Sequence, residues 1–363
     1  MSLHRPLRLL LLIALPSLAV LLALVYALTW RPQPHEEAAV SCSGQVAQLQ
    51  PGQALKVMTW NVQYLAGKRY VFWYDLPGGD GPDERPSSED LALTLDEVVR
   101  ILRDEKPDVV LLQELHDNAR ASDYQDQLAL LQARLGDLYP CSTQAFYWKA
   151  GFVPHPHILG SVGMKLGTLS RFQIARAERL QLPMLESDPL SRQFQLKRAL
   201  LVSYLPIRGG DELVAINTHF DAFAQGDDTM QRQVEMTDGL LQQLQAADKS
   251  WVLGGDLNLL PPGQFQHLPE DQRSWYAADS ELQDLARRYP MIPSLLQASG
   301  PQQADWYTHY PNDPAAKGPD RTLDYLFYSP RLTPLTNQVR QHDTQAISDH
   351  LPVIGRFFLP SQE

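Results

Sequence analysis

Short apolar runs that end in polar residues recur along the chain and predict its strands. Runs that are apolar throughout are typical of strands buried on both faces. Each run is followed within a few positions by carboxyl, amide or imidazole side chains. We predict strands at residues 55–58, 109–112, 213–216, 251–253, 323–328 and 352–358.

Apolar residues at helical spacing lie between several of these runs. Residues 91–102 repeat apolar side chains every three or four positions, and Ser87 with Asp90 resembles a capping box before them. We also predict helices over residues 126–135, after a cap at Asp228, and over 282–288. Strands alternating with helices indicate two sheets packed face to face, with helices on the outer faces.

The N-terminus carries the longest apolar stretch, residues 9–29, which has no charged residue. A helix of this length spans roughly 30 Å, the thickness of a bilayer core. We therefore predict a cytoplasmic N-terminus at 1–8 and a transmembrane anchor at 9–30, flanked by Arg8 and Trp30. A cleaved signal peptide is the alternative, although its apolar core usually has only about 7–15 residues.

The basic flank before the apolar stretch places the following domain outside the cytoplasm, facing the periplasm from the inner membrane if the source is bacterial. Residues 31–52 are rich in Pro, Gln, Ser and Gly, and we expect a tether before a domain at 53–360. Cys42 and Cys141 are the two cysteines. They either pair in an oxidising compartment or remain free thiols.

The formal net charge is −11. Proteins that bind duplex DNA through its phosphates usually present a basic surface, so the acidity argues against a non-specific nuclease. A local basic groove with a bound metal could still compensate.

The polar clusters follow the predicted strands in a characteristic order, and together they resemble the endonuclease/exonuclease/phosphatase superfamily, the DNase I-like phosphoesterases. The resemblance covers roughly residues 55–358. It rests on Thr59-Trp60-Asn61, Gln113-Glu114, Asn217-Thr218-His219, Gly255-Asp256-Leu257-Asn258, Asp324-Tyr325 and Ser348-Asp349-His350.

The resemblance implies a four-layer α-β-β-α sandwich and a metal-dependent phosphodiesterase. Asn61, Glu114 and Asp349 are the expected ligands of Mg²⁺ or Mn²⁺, since hard cations prefer oxygen ligands. Gln63 stands where some nuclease members carry a metal-associated Asp, which favours a single cation. The mid-domain tyrosine of some nucleases has no clear counterpart in the sequence.

The resemblance also assigns the catalytic side chains. Asp256 is expected to orient or deprotonate the attacking water, Asn258 to contact phosphate, and His219 to hydrogen-bond a phosphate oxygen or the leaving group. If the backbone is extended, Asp256 and Asn258 point the same way, since residues at i and i+2 share a face. Asp324 is expected to hold His350, whose cationic ring would stabilise the transition state.

The aromatic run 69–74 follows the first motif and has three interpretations. It is a core strand, a base-stacking platform, or a lip that contacts lipid through Phe72, Trp73 and Tyr74. With the predicted anchor and the net acidity, we favour a lipid head group over nucleic acid as the phosphoester substrate. An extracytoplasmic nuclease and a non-catalytic binding protein of the same fold are the alternatives. His155 and His157 are expected in a surface loop.

Overall fold

The computed structural model describes residues 4–76, 79–82, 85–222 and 226–361, and the side chains of the first helix from residue 12 onward. The helices of this part of the chain are α1 (His4–Leu28), α2 (Ser88–Glu105), α3 (Gln127–Leu135), α4 (Ser191–Phe194), α5 (Thr229–Ala246), α6 (Leu282–Arg288) and α7 (Leu295–Ser299). The strands are β1 (His35–Ala38), β2 (Val40–Cys42), β3 (Ala54–Asn61), β4 (Val109–His116), β5 (Cys141–Val153), β6 (Gly160–Ser170), β7 (Arg176–Gln181), β8 (Ala199–Ile207), β9 (Asp211–His219), β10 (Ser250–Asp256), β11 (Met291–Ile292), β12 (Asp324–Tyr328), β13 (Thr333–Val339) and β14 (Val353–Phe358).

The strands form two sheets. The first sheet has the order β13-β14-β3-β4-β6-β5-β2, and the second has the order β1-β7-β8-β9-β10-β12-β11. Near the middle of each sheet is a parallel pair, β3 with β4 and β9 with β10. All six predicted strands are confirmed. Their uniform apolar composition follows from the burial of both faces.

Three apolar clusters order the sheets and helices into layers. Leu111 of the first sheet packs with Val252 and Leu326 of the second, which places one core between the sheets. A second cluster joins the first sheet to α2 and α3, and a third joins the second sheet to α5 and α6. The predicted two-sheet sandwich with helices outside is therefore confirmed.

The ends of the predicted helices show where local signals hold. Ser87 accepts a hydrogen bond from the Asp90 amide and caps α2, as expected. Asp228 occupies the cap position of α5 but makes no side-chain cap bond. Asp227 accepts instead from the Thr229 amide at 2.8 Å, so the predicted cap position is confirmed but the side-chain hydrogen bond comes from the preceding residue.

The predicted transmembrane anchor over residues 9–30 is not confirmed, because no helix in the described ranges is both long and apolar enough to cross a bilayer. The helix in this region, α1, contains Pro16. Most of its described apolar side chains from Leu12 to Tyr26 are exposed. At its end, Thr29 forms a β-bridge with Ala150 of β5.

The segment 31–52, expected as a tether, instead contributes one edge strand to each sheet. β1 pairs with β7 and β2 pairs with β5, because the free edges of those strands offer unpaired backbone groups. Cys42 and Cys141 are register partners and form a disulfide bond, so the pairing alternative is the one observed.

Candidate functional site

The motif residues lie at one edge of the sandwich because the strands that carry them end there. Asn61 ends β3, and His219 and Asp256 end the parallel strands β9 and β10. Asp256 is in register with His219 on one side and with Asp324 of the antiparallel strand β12 on the other. Apolar strands and their connectivity therefore bring residues from distant parts of the sequence together.

Asp256 lies at the centre of this group. Its Oδ2 accepts from Asn61 Nδ2 at 3.1 Å and lies 3.4 Å from Nε2 of both His219 and His350. Asn61 Nδ2 also donates to Glu114 Oε1 at 3.0 Å. The Asn61 Oδ1 atom accepts from the Gln63 amide at 3.0 Å. Predicted metal ligands and predicted catalytic residues are thus in direct contact.

Glu114 reaches this group through an irregularity in β4. The pairing of β4 with β6 shifts between Leu112 and Leu115, and Glu114 has φ 58°, in the left-handed region. A β-bulge redirects side chains that a regular strand would send to opposite faces. Non-glycine residues in this region cost roughly 1–3 kcal/mol and persist where the surroundings enforce them.

Asn258 reaches the cleft by a different route from the one expected. β10 ends at Asp256, and Asn258 has φ 52°, so the backbone is not extended through both residues. Its amide nitrogen donates to the Phe220 carbonyl at 3.2 Å, and its backbone N–H donates to Asp256 Oδ1 at 3.0 Å. Both side chains line the same cleft because the chain turns between them.

His350 and Asp324 form a buried pair. His350 Nδ1 lies 2.7 Å from Asp324 Oδ2, and the His350 carbonyl accepts from the Trp60 indole at 2.9 Å. Burial alone would lower the pKa of His350, but the charges of Asp324, Asp256 and Asp349 raise it well above its usual value. The ring is therefore a cation at neutral pH, with Nε2 directed at Asp256.

The ring of His219 is neutral, in contrast to the protonated ring of His350. Burial, and then the charges of Arg198 and His350, lower its pKa well below the usual value, so the ring is neutral. Its Nδ1 lies 3.3 Å from the hydroxyl of Tyr147 in β5. Tyr147 is a buried residue of the site. The sequence did not distinguish it from its aromatic neighbours in the same strand.

Arg198 is a cation of the site that the sequence did not suggest. It is 4% exposed, and its Nε and Nη1 atoms have no hydrogen-bond partner within the described residues. Nε lies 3.9 Å from Asp221, and the guanidinium lies 5.0 Å from the Tyr147 ring centroid. It precedes β8, whose start lies at the same edge as the end of its antiparallel neighbour β9. A buried cation with free N–H groups suits an anion.

Asp349 and His309 occupy the other side of His350. The structure brings His309, Asp349 and His350 close enough to hold a metal ion, and also Asp256, Asp324 and His350. The His309 ring meets His350 edge-on, with centroids 4.7 Å apart. His309 had no motif to mark it; its position depends on a β-bridge to His350.

Three carboxyl groups of the site, those of Asp256, Asp349 and Glu114, have a raised pKa. Burial raises the pKa of Asp256 to about 6 and that of Asp349 to about 7. Burial also raises the pKa of Glu114, and the nearby charge of Asp256 adds to the effect. Desolvated carboxylates that repel one another favour a bound cation, and hard divalent cations prefer such oxygen atoms.

Two motif amides serve the packing of the sheets. Asn217 of the second sheet donates to the carbonyls of Leu112 and Gly167 in the first, at 3.0 and 2.9 Å. Gln113 donates to Asn217 Oδ1 at 2.7 Å and to Thr59 at 3.1 Å. This buried network fixes the two sheets relative to each other beside the site.

Most of the catalytic and metal-binding residues predicted from the sequence line a cleft of about 960 Å³, among them Glu114, Asp256 and His350. The aromatic run forms one wall as a loop with a short 3₁₀ turn, Trp73–Asp75, so the core-strand interpretation was wrong. Phe72 is buried, while Trp73 and Tyr74 are partly exposed in the cleft. The Tyr74 hydroxyl lies 2.8 Å from that of Tyr64.

The hairpin between β5 and β6 forms the facing wall. His155 and His157 lie there, as expected for a loop, but their rings lie against Trp73 at 5.3 and 5.0 Å between centroids. The cleft is therefore lined by aromatic and imidazole rings above a charged floor.

Comparisons with known proteins agree with this geometry. The family model described as "Endonuclease/Exonuclease/phosphatase family" matches residues 58–350. The comparison with curated proteins found no match. An endonuclease/exonuclease/phosphatase from Beutenbergia cavernae is similar, with 22% identity, 85% of this chain and 72% of that chain covered, and a TM-score of 0.55.

Two further solved structures have a similar fold. The human nocturnin catalytic domain has 18% identity, with 88% of this chain and 97% of that chain covered and a TM-score of 0.53. ANGEL2, a 2′,3′-cyclic phosphatase, has 16% identity, with 89% and 98% covered and a TM-score of 0.50. Because the family match spans most of the sequence, the chain belongs to the Endonuclease/Exonuclease/phosphatase family and is a hydrolase of phosphate ester bonds.

Proposed function

We propose that the protein is a phosphodiesterase that uses Mg²⁺ or Mn²⁺, held by Asn61, Glu114 and Asp349. The observation that carries the proposal is that the buried Asp256 Oδ2 lies 3.4 Å from Nε2 of both His219 and His350 and accepts a hydrogen bond from Asn61, which also donates to Glu114. Asn61 directs its Nδ2 atom at Glu114. A half-turn of the side-chain amide would direct Oδ1 there instead, as a ligand of the cation requires. When bound, the cation neutralises phosphate charge and orients the phosphate oxygens.

In this proposal Asp256 activates the attacking water. Its carboxylate faces the cleft beside two imidazoles and is held by the backbone N–H of Asn258. A pKa of about 6 suits a general base at neutral pH, because it is ionised there yet still basic. The neutral His219 and the Asn258 amide would hydrogen-bond phosphate oxygens, and Arg198 would balance their charge.

His350 has the complementary role. Its ring is protonated and directed by Asp324, so it can stabilise the charge that develops on the phosphoryl group and donate a proton to the leaving oxygen. Removing a group of this kind typically reduces turnover by about 100-fold or more.

A chelator titration with bis-p-nitrophenyl phosphate tests the proposal. We expect hydrolysis to require Mg²⁺ or Mn²⁺, and Glu114→Ala, Asp256→Asn and His350→Ala each to reduce turnover by at least ~100-fold. Glu114→Ala should also raise the metal concentration needed. The exposed Asp305→Asn is the matched control and should be unaffected. Metal-independent hydrolysis, or no phosphoesterase activity in the wild type, contradicts the proposal; inactivity favours a binding protein.

For the substrate we propose a phosphodiester lipid head group. The supporting observation is that three exposed apolar residues are sequence neighbours of residues that line the cleft: Phe152 and Leu159 on the β5–β6 hairpin and Leu190 next to α4. α1, most of whose described apolar side chains are exposed, is followed by Thr29, which forms a β-bridge with Ala150 near the turn of that hairpin. These surfaces could contact a bilayer together.

A paired assay tests the lipid proposal. We expect Phe152→Ser with Leu159→Ser to reduce hydrolysis of phospholipid or sphingomyelin vesicles by tenfold or more, because burial of each large apolar side chain contributes about 1.5–3 kcal/mol. Hydrolysis of the soluble ester should be unchanged, because both side chains lie outside the catalytic group. Trp73→Ala should also reduce vesicle hydrolysis. Equal rates on vesicles for variant and wild type would exclude this contact.

A nucleic acid end is the second candidate. Trp73 lies nearly parallel to His157, at 15°, and such flat rings suit base stacking. ANGEL2, which has a similar fold, is a 2′,3′-cyclic phosphatase. A side-by-side screen on single- and double-stranded nucleic acid, lipid vesicles and inositol phosphates separates the candidates. Cleavage of nucleic acid that falls steeply with salt, without lipid hydrolysis, would favour the second.

We also propose that the domain lies outside the cytoplasm, associated with a membrane. The disulfide between Cys42 and Cys141 supports this placement, because such bonds persist in oxidising compartments. Carbonate extraction and protease accessibility in spheroplasts test it. Protection of the domain from external protease would contradict the placement.

A further inference from the structure

A third carboxylate reaches the proposed cation site from a loop that carries no motif. Asp75 ends the Trp73–Asp75 turn and lines the cleft together with Glu114 and Asp349. The Asn312 amide joins two of these groups. Its Nδ2 donates to Asp75 Oδ2 at 3.1 Å and lies 3.4 Å from Asp349 Oδ2.

Two hydrogen bonds to the Asp75 carboxylate are made to the same oxygen atom. The Phe72 N–H and the Asn312 amide both donate to Oδ2, and Oδ1 takes no part in either bond. The nearby cation Lys68 donates to the Pro311 carbonyl at 2.6 Å and lies over the ring of Tyr310. Its hydrogen bond is therefore made to the loop rather than to the carboxylates.

Two buried amides around Asp349 are incompletely bonded. Asn312 is 6% exposed, and its Oδ1 has no hydrogen-bond partner within the described residues. Gln63 is 2% exposed; its Oε1 accepts from the Asp349 N–H at 3.2 Å, while its Nε2 has no partner there. Buried polar atoms without partners are rare in folded proteins and indicate a missing ligand. Of these two atoms only Asn312 Oδ1 is an acceptor, and its amide lies between two carboxylates, where the missing ligand would be a cation.

We propose that Asp75 is a further ligand of the divalent cation, directly or through one bound water, and that Asn312 is the positioning residue that holds it beside Asp349. Hard cations take six or more oxygen ligands, so a third carboxylate suits the site. The inference rests on the proposed cation site of Asn61, Glu114 and Asp349 and adds a ligand to it. It also makes cation binding depend on the order of the aromatic loop, because Asp75 follows Tyr74 directly.

Metal affinity without substrate tests the inference. Mn²⁺ binding to the full-length chain is followed by electron paramagnetic resonance. We expect Asp75→Asn to weaken binding about tenfold or more, the scale on which supporting groups of metal sites act. Asp80→Asn is the matched control, because it removes the same charge from an exposed position of the same loop. Wild-type affinity in Asp75→Asn would overturn the inference and leave Asp75 as a cap for the Phe72 N–H.

A second variant keeps the test decisive if Asp75→Asn does not fold. Asn312→Asp adds a carboxylate between Asp75 and Asp349. We expect this variant to have a lower melting temperature than the wild type in chelator. We also expect Mn²⁺ to raise its melting temperature by more than it raises that of the wild type. A gain no larger than that of the wild type would count against the inference. Glu114→Gln separates the two levels of the proposal: unchanged Mn²⁺ affinity in that variant would refute the cation site itself, and with it the proposed function.

Discussion

Replacement of Asp324 by Asn should shift the pH dependence of catalysis, because Asp324 keeps His350 protonated. The carboxylate Oδ2 lies 2.7 Å from His350 Nδ1, and both side chains are buried. Asn is nearly isosteric and can still accept from Nδ1–H, so the ring orientation is kept while the charge is lost. The substitution therefore separates the electrostatic effect of Asp324 from its positional effect.

The magnitude follows from Coulomb's law. Opposite charges about 4 Å apart interact by about 4 kcal/mol at an effective dielectric constant of about 20. Loss of this attraction favours the neutral ring, so the pKa of His350 should fall. Asp256 has a pKa of about 6 and must be ionised to act as base. Catalysis requires Asp256 to be ionised and His350 to be protonated. A lower pKa of His350 should therefore lower the upper limit of the pH range in which both conditions hold.

The assay is the pH profile of kcat/KM on bis-p-nitrophenyl phosphate at saturating Mg²⁺, with nuclear magnetic resonance titration of His350. We expect the activity loss to be larger at pH 8 than at pH 6, with a lower pKa for the ring. Asp305→Asn is the control, because it removes one exposed carboxylate far from the pair in sequence. An equal loss at every pH, with an unchanged His350 titration, would refute the electrostatic role of Asp324.

Four further predictions follow from the same contacts. Glu114→Gln should raise the melting temperature in chelator at pH 7.5, because burial raises the pKa of the Glu114 carboxyl and so makes its charged form unfavourable; a lower melting temperature would contradict this. Mg²⁺ affinity by calorimetry should fall as the pH decreases through about 7, because the raised pKa of Asp349 makes a proton compete with the cation; equal affinity at pH 8 and pH 6 would contradict this. Arg198→Ala should lower kcat/KM for an anionic diester by tenfold or more, whereas a rate unchanged from wild type would mean that its free N–H groups do not contact the substrate. Cys42→Ser with Cys141→Ser should lower the free energy of unfolding by about 2–4 kcal/mol in urea denaturation, since the bond joins residues separated by 99 positions; reduction of the wild type should give the same loss.

The predicted motif residues meet in space because two sequence signals agree. Apolar runs identify the buried strands, and the residues after them are polar although burial of such groups is costly. Parallel strands end at the same edge of a sheet, so His219 and Asp256 converge without any need to know the loops, whereas Asn61 joins them from the other sheet. The pairing of His350 with Asp324 was expected from the resemblance, and the contact is present.

The residues that sequence reasoning missed depend on pairing that has no local signal. Arg198 directly precedes the antiparallel strand β8, so its position at the site follows only from the register of β8 with β9. Tyr147 lies in the middle of β5, where its neighbours are also aromatic. Asp75 is contributed by a loop. The place of each of these residues at the site can be recognised only from the folded structure, where segments distant in sequence are in contact.

The N-terminal segment shows a similar limit. Residues 31–52 have little apolar content and suggest a tether, yet His35–Ala38 and Val40–Cys42 are strands. Their stability comes from the free edges of β5 and β7 and from the disulfide at Cys42. Strand propensity is dominated by such context, and a three- or four-residue strand has no periodicity to detect.

Four of the described non-glycine residues with positive φ lie at or beside the proposed site. Glu114 and Asn258 both have positive φ, and Gln63 and Tyr64 adopt the same region beside them. Each such residue costs roughly 1–3 kcal/mol, and the buried carboxylates add a further cost at neutral pH. A sequence selected for stability alone would avoid both. Their coincidence at one edge of the sandwich is expected if they prepare a site for cation and phosphate, because the bound charges then offset the repulsion that the protein bears without them.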